Sequence, residues 1–238
     1  MIDFLNSNSV SPEFVGADEV GDTIGLCIPS VDSQLLEKLH VKKKYTVLGI
    51  LGDRTGGGPQ LFSMDEGIKA TNTECIDVEW TNDTKGGGGQ GCMIVIGGYD
   101  PSDVRQAIEV TFKNLRRFFG DVYNNQAGHI ELQYTARAAG CLSEGLGAEE
   151  GKAFGILNGC PAPIGVVMAD TALKTAGVKP ISLSTPSHNG SPSNETVLTI
   201  SGDSGAVRQA IIAGRERGID LLGQMGDKPV NDYPSYIH

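Results

Sequence analysis

Val104-Arg105-Gln106-Ala107-Ile108 recurs 103 residues later as Val207-Arg208-Gln209-Ala210-Ile211. Five identical residues at so long a separation mark an internal duplication, and a missed repeat mis-assigns the whole fold. Upstream, Leu48-Gly49-Ile50-Leu51 is echoed by Phe154-Gly155-Ile156-Leu157 at a spacing of 106. Between these anchors Leu61, Met64, Ile68 and Thr71 stand 3, 4 and 3 residues apart, which is one face of a helix. A further 105 residues on, Val166, Ala169, Leu173 and Ala176 repeat the stripe, Lys69 falls on Lys174, and Ile76 falls on Ile181. Small loop deletions produce a drift of this kind.

Each copy then reads alike. A strand (46–51; 153–157) leads through a Gly/Pro-rich turn to a short amphipathic helix and a second strand (75–80; 180–184). A loop of small residues follows, then an apolar strand (92–96; 197–200) and a longer helix. In the first copy that helix carries Val104, Ile108, Phe112, Leu115 and Phe119 on one side. Extra strands, 23–29 and 129–135, precede the two copies. Strands alternating with helices imply an α/β (α+β) fold. The expected organisation is a polar arm (1–13), a first domain (14–123) and a second domain (124–238).

Composition narrows the function. The chain has 238 residues, 39% hydrophobic and 20% charged, as a globular protein should. Its net charge of −10 repels phosphate backbones, which argues against nucleic acid as a partner. No stretch approaches the roughly 18 apolar residues of a bilayer-spanning helix, and the start lacks the basic and apolar regions of a secretory signal. The five cysteines are odd in number and form no CxxC pattern, which fits reduced thiols in a cytosolic protein.

Motifs of catalytic appearance have simpler readings. Gly202-Asp203-Ser204-Gly205 resembles a protease nucleophile segment, but the duplication pairs Asp203 with Asp100 and Ser204 with Pro101. Proline cannot replace a nucleophile, whereas Asp followed by Pro or Ser starts a helix. Gly86, Gly88 and Gly91 satisfy GxGxxG, yet a strand follows them where a dinucleotide site needs a helix. No two of His40, His129, His188 and His238 lie three or four residues apart, so no metal and no cofactor is expected. Asp65-Glu66 and Glu149-Glu150 read as solvated helix surface. Two equivalent loops remain: one holds Thr84, Lys85, Gly86, Gly87 and Gly88, the other Ser187, His188, Asn189, Gly190 and Ser191. They fit flexible hairpins, and equally a constriction where backbone approaches a symmetry axis or a small polar ligand.

The order of elements, with the glycine loop and the capped Val-Arg-Gln-Ala helix, resembles the bacterial microcompartment shell domain. Ala169, Ala172, Lys174 and Val178 fit that family's AxxAxKxxxV segment, whose lysine lies at the hexamer edge; the first copy matches only at Lys69. Longer stretches are similar to the tandem, circularly permuted, trimeric members of the family. They include Pro12-Glu13-Phe14-Val15-Gly16-Ala17, Asp53-Arg54-Thr55-Gly56, Lys85-Gly86-Gly87-Gly88-Gly89 and Asn231-Asp232-Tyr233-Pro234.

The resemblance implies two ferredoxin-like, βαββαβ-related domains per chain. It implies a homotrimer that forms a pseudohexameric plate, beside other shell proteins, in a microcompartment shell in the cytoplasm. The implied role is structural, not enzymatic. Lys69 and Lys174 would meet neighbouring tiles. Pores for glycerol or 1,2-propanediol would be lined by the two loops, with Asp53, Arg54 and Asn158 contributing to channels within or between subunits. Residues 1–14 would attach encapsulated enzymes. Other readings stay open from the residues alone: a small-molecule-binding regulatory trimer, a hydrolase using Ser204, or a redox carrier at a cysteine cluster.

Overall fold

The computed structural model describes residues 11–39, 41, 45–82, 90–186 and 193–238. The first copy contains strands β1 (Phe14–Asp18) and β2 (Thr23–Ile28), helix α1 (Ser33–Lys38), strand β3 (Val47–Gly52), helix α2 (Gly58–Lys69), strands β4 (Glu74–Asn82) and β5 (Gln90–Gly98), and helix α3 (Pro101–Phe118). The second repeats the order with β6 (Val122–Asn125), β7 (Gly128–Thr135), α4 (Gly140–Leu146), β8 (Ala153–Cys160), α5 (Ala162–Thr175), β9 (Lys179–Ser184), β10 (Thr196–Gly202) and α6 (Ser204–Gly223). The strands form two sheets of identical topology, β1-β2-β3-β5-β4 and β6-β7-β8-β10-β9. Every pairing is antiparallel. The duplication read from the chain is therefore also a duplication of register: Leu51 lies opposite Gly25 and Ile94, and Leu157 opposite Leu132 and Leu198.

Two helices cover one face of each sheet, α2 with α3 and α5 with α6. The repeated Val-Arg-Gln-Ala-Ile segments turn Val104, Ala107 and Ile108 into the first core and Val207, Ala210 and Ile211 into the second. Each buried aliphatic side chain contributes about 1.5–3 kcal/mol. The helix-start reading of the Asp-Pro and Asp-Ser pairs holds. Asp100 accepts the Ser102 N–H at 2.8 Å, and Asp203 accepts those of Gly205 at 2.9 Å and Ala206 at 3.3 Å. Such a cap is worth about 1 kcal/mol.

The short strands β1 and β6 and the short helices α1 and α4 are absent from the sequence reading. None is long enough to show a period, and each is held by what it packs against. In α1, Leu36 lies with Leu39 and Val41 on the outer face of the first sheet, over Leu48 and Val95. Its counterpart α4 packs instead on α2 and β4 of the first copy. The first core consequently includes Cys141, Leu142, Phe154 and Ile156 from the second copy. The Phe62 and Phe154 rings stack with centroids 6.2 Å apart.

One expectation is corrected here. Asp65 is not solvated helix surface: it is fully buried and accepts the backbone N–H groups of Ala139 at 3.0 Å and Leu142 at 3.3 Å. As one of two adjacent carboxylates it reads as solvated surface, but the second copy packs on that side of the helix. Glu149 and Glu150 lie outside any helix, in the exposed connection before β8.

The C-terminal segment binds the copies together. Asp121 is fully buried and pairs with Arg215 at 2.6 Å. Arg215 also donates to Ser235 Oγ at 2.9 Å and the Ile237 carbonyl at 2.8 Å. Tyr236 packs edge-on against Phe118 of the first copy, centroids 5.1 Å apart, while its hydroxyl accepts the Tyr134 N–H at 2.8 Å. All five cysteines are free, and among the described residues no helix is long and apolar enough to cross a membrane.

Candidate functional site: a polar junction and an open helix face

Strand β7 alternates strictly. Ile130 and Leu132 enter the second core, which turns His129, Glu131, Gln133 and Thr135 to the other face, toward the first copy. On the neighbouring strands Asn158 lies opposite Glu131, Cys160 opposite His129, and Glu195 stands just before β10. The start of α2 closes over this strip. A Cβ on Gly58 would lie 2.3 Å from Glu131 Oε1 and 2.9 Å from Gln133 Oε1, so bare backbone is what fits against these two side chains. Asp53, in the turn after β3, accepts the Gly57 N–H at 2.9 Å and bonds the Cys92 N–H.

The electrostatics follow from burial. Desolvation pushes the Asp53 carboxyl up to about 6, against hydrogen bonds from the Cys92 and Gly57 amides. Desolvation likewise raises Glu131 to about 8; His129 opposes this, and Glu195 and Asp53 reinforce it. Burial disfavours a charged His129, but its neighbours Cys160 and Glu195 prevail and raise it to about 10. Glu195 is held below its ordinary value despite burial, through His129 and Asn158. Its Oε2 accepts from Asn158 Nδ2 at 3.0 Å and lies 3.7 Å from His129 Nε2. Both polar atoms of the Gln133 carboxamide, and Asn158 Oδ1, are buried with no hydrogen-bond partner among the described residues. Buried polar groups are nearly always paired, so these are places where a ligand or water would bond. Among the described residues no group of His, Cys, Asp and Glu side chains is arranged to hold a metal ion.

Of the residues singled out by sequence, Asp53 and Asn158 join this junction. Arg54 is exposed beside it, its backbone N–H on the Gly21 carbonyl at 3.0 Å. Lys69 closes α2, 3.0 Å from Asp65, 2.7 Å from Glu66 and 3.3 Å from Thr135 Oγ1. Lys174 closes α5, is far more exposed, and pairs with Asp170 at 2.6 Å. Thr84, Lys85, Gly86, Gly87, Gly88, Ser187, His188, Asn189, Gly190 and Ser191, and residues 1–10 of the arm, lie outside the described residues. His129, Glu131, Gln133 and Glu195 were missed. Their signal was the period-two polar face of His129-Ile130-Glu131-Leu132-Gln133, which a search for helical His pairs does not see.

A second feature comes from comparing equivalent helices. On α2, Leu61, Phe62 and Asp65 are buried by the second copy. Their equivalents on α5 are exposed among the described residues: Val166 is 49% exposed, Val167 38%, and Asp170 is exposed as well. On the outer face of the first sheet, Ile24 and Leu26 hold the ladder positions of Glu131 and Gln133. Ile24 is 42% exposed. The α5 face and Ile24 thus stay exposed, whereas their counterparts meet within the chain.

The chain belongs to the family of bacterial microcompartment shell proteins. Residues 153–230 match the family model "BMC domain". Within that family it is 69% identical, over 100% of both chains, to the bacterial microcompartment shell protein PduB of Limosilactobacillus reuteri (strain DSM 20016). It is 56% identical to PduB of Citrobacter freundii, over 94% of this chain and 83% of that one. Among solved structures it matches a trimeric bacterial microcompartment shell protein PduB with a TM-score of 0.93 at 69% identity, covering 95% of this chain and 100% of that one. EtuB from Clostridium kluyveri matches with a TM-score of 0.91 at 44% identity, over 96% and 100% of the two chains.

Proposed function

We propose that this chain is a structural tile of a microcompartment shell in the cytoplasm, three copies closing head to tail into a plate of six similar domains. The supporting observation is the bare α5 face. What Leu61, Phe62 and Asp65 do inside the chain, Val166, Val167 and Asp170 are placed to do against the outer sheet face of a neighbouring chain, around Ile24 and Leu26. A solved relative described as trimeric agrees with this reading. Such plates would join other shell proteins side by side through Lys69 and Lys174, and residues 1–14 would engage enclosed enzymes.

The passage for a small polar metabolite such as glycerol or 1,2-propanediol lies, on this reading, within each chain. A hydroxylated molecule leaving water needs replacement hydrogen bonds that are weak enough to release it. The junction within the chain offers Gln133, Asn158, Asp53 and Glu131 beside a side-chain-free Gly58. The equivalent place between chains offers Pro163 against Ile24 and Leu26, an apolar seal. The two glycine- and serine-bearing loops would frame further openings. Crystals soaked in glycerol test this: the ligand should sit against Gln133 and Glu131, and binding solely at a site remote from both would refute the passage. Electron microscopy of concentrated protein separates a tile, which forms sheets, from a regulatory trimer, which stays discrete.

A further inference from the structure

We propose that the strip of Glu131, Gln133, Asn158 and Glu195 binds a small ammonium ion, either ammonium itself or a short primary amine in its charged form. The site lies in the junction described above, but it needs neither polyols crossing that junction nor trimerisation.

The duplication supplies a control. Ladder register matches Glu131 with Ile24, Gln133 with Leu26, Asn158 with Gly52 and Glu195 with Gly91. The first copy thus builds this sheet face from two aliphatic side chains and two glycines. The second places four polar side chains there, each more than nine-tenths buried. The fold does not require them, and burying a polar group costs free energy unless it is hydrogen-bonded. Gln133 Nε2 and Oε1 and Asn158 Oδ1 have no such bond among the described residues.

The free atoms share one place. A Cβ on Gly58 would lie 2.3 Å from Glu131 Oε1 and 2.9 Å from Gln133 Oε1, so both oxygens converge beside the same stretch of bare backbone. Asn158 stands directly opposite Glu131 on the ladder, where side chains of paired strands meet. Asn158 Nδ2 is committed to Glu195 Oε2 at 3.0 Å, which fixes Oδ1 as its free end. Ammonium is the size of water, so it needs no larger space than a buried water would.

Charge selects the ligand. Asp53, Glu131 and Glu195 share one cationic neighbour, His129, whose Nε2 lies 3.7 Å from Glu195 Oε2. His129 and Glu195 balance each other. Asp53 and Glu131 are left without a counter-charge, and burial lifts them to about 6 and about 8. A cation beside Glu131 supplies the missing charge, and its N–H groups match the free acceptors Gln133 Oε1 and Asn158 Oδ1. An anion would meet like charge. Among the described residues no group is arranged to hold a metal ion, so recognition here is by hydrogen bonds.

The test follows thermal unfolding of the full-length protein at pH 7 in ammonium, potassium and choline chlorides of equal ionic strength. A ligand that binds only the folded chain raises Tm as its concentration grows. Ammonium at about 100 mM should raise Tm by about 2 °C over both other salts, and methylammonium should do the same. Gln133→Leu, which copies Leu26, and Glu131→Gln should each remove most of that difference. Equal melts in the three salts overturn the proposal. So does a potassium shift as large as that of ammonium, because potassium donates no hydrogen bond. A shift that survives both substitutions places the ion elsewhere and overturns it too. No polyol is present in these melts, so their outcome is separate from whether glycerol crosses the junction.

Discussion

Asp65 in the first copy caps helix α4 in the second, its carboxylate accepting the Ala139 N–H at 3.0 Å and the Leu142 N–H at 3.3 Å. Burial raises its pKa, and the Lys69 ammonium 3.0 Å away opposes that rise. One side chain therefore ties the end of a surface lysine to the seam between the copies. Asp65→Ala leaves two buried N–H groups without their partner and takes from Lys69 one of its two carboxylates, and should cost about 2–4 kcal/mol in urea unfolding. Asp65→Asn keeps one acceptor and should cost less. A loss under about 0.5 kcal/mol, the scale of an ordinary surface change, would remove the cap from the account of the seam.

Stability should fall as pH rises from 6 to 9. Glu131 goes from 4.5 unfolded to about 8 folded, so the folded chain holds a proton that the unfolded chain releases. Its stabilising contribution is complete below pH 4.5 and is lost as pH climbs toward 8. His129, raised from 6.5 to about 10, contributes fully below pH 6.5 and loses that contribution toward pH 10. The signs agree. Thermal melts should show a lower Tm at pH 9 than at pH 6, and Glu131→Gln should raise stability at pH 8 by about 1–3 kcal/mol. A Tm that increases across this interval would contradict the assignment.

Removing the C-terminal strap should weaken both copies at once. Deleting residues 229–238 strips Ser235, Tyr236 and Ile237 from the buried Asp121–Arg215 pair. Asp121→Ala leaves Arg215 facing an empty pocket, a change that typically costs 3–5 kcal/mol. Calorimetry should show one broadened transition at lower temperature for either variant; an unchanged melt would show that the strap is dispensable.

Lys69 and Lys174, proposed to meet neighbouring tiles, should differ. Lys174 is exposed and pairs with Asp170, so Lys174→Asp should leave trimers intact and reduce sheet formation seen by electron microscopy. Lys69→Asp would place a third carboxylate beside Asp65 and Glu66, and should also destabilise the chain. Lys69→Gln is the cleaner probe there. Normal sheets from a Lys69→Gln, Lys174→Asp protein would remove both lysines from the tile contact.

The duplication, the α+β class, the long strands and the helix caps were legible because each rests on a local rule: period, repeat or capping chemistry. Asp65 was misread because its environment is supplied by residues 74 to 77 positions away, and no period encodes a second covering layer. Asp53 and Asn158 were singled out through resemblance, whereas Glu131 and Gln133, on the polar side of an alternating strand, were missed. The strip acquires meaning only when Gly58, 73 residues before Glu131, is brought against it.

Sedimentation equilibrium of the full-length chain and of a Val166→Asp, Val167→Asp variant tests closure through α5 directly. The unsubstituted protein should weigh three 25.0 kDa chains, and the variant, altered only at exposed positions, should stay folded and weigh one. A variant that still sediments as three chains would place the contact elsewhere, and an unsubstituted protein that sediments as a single chain would end the reading of this molecule as a plate.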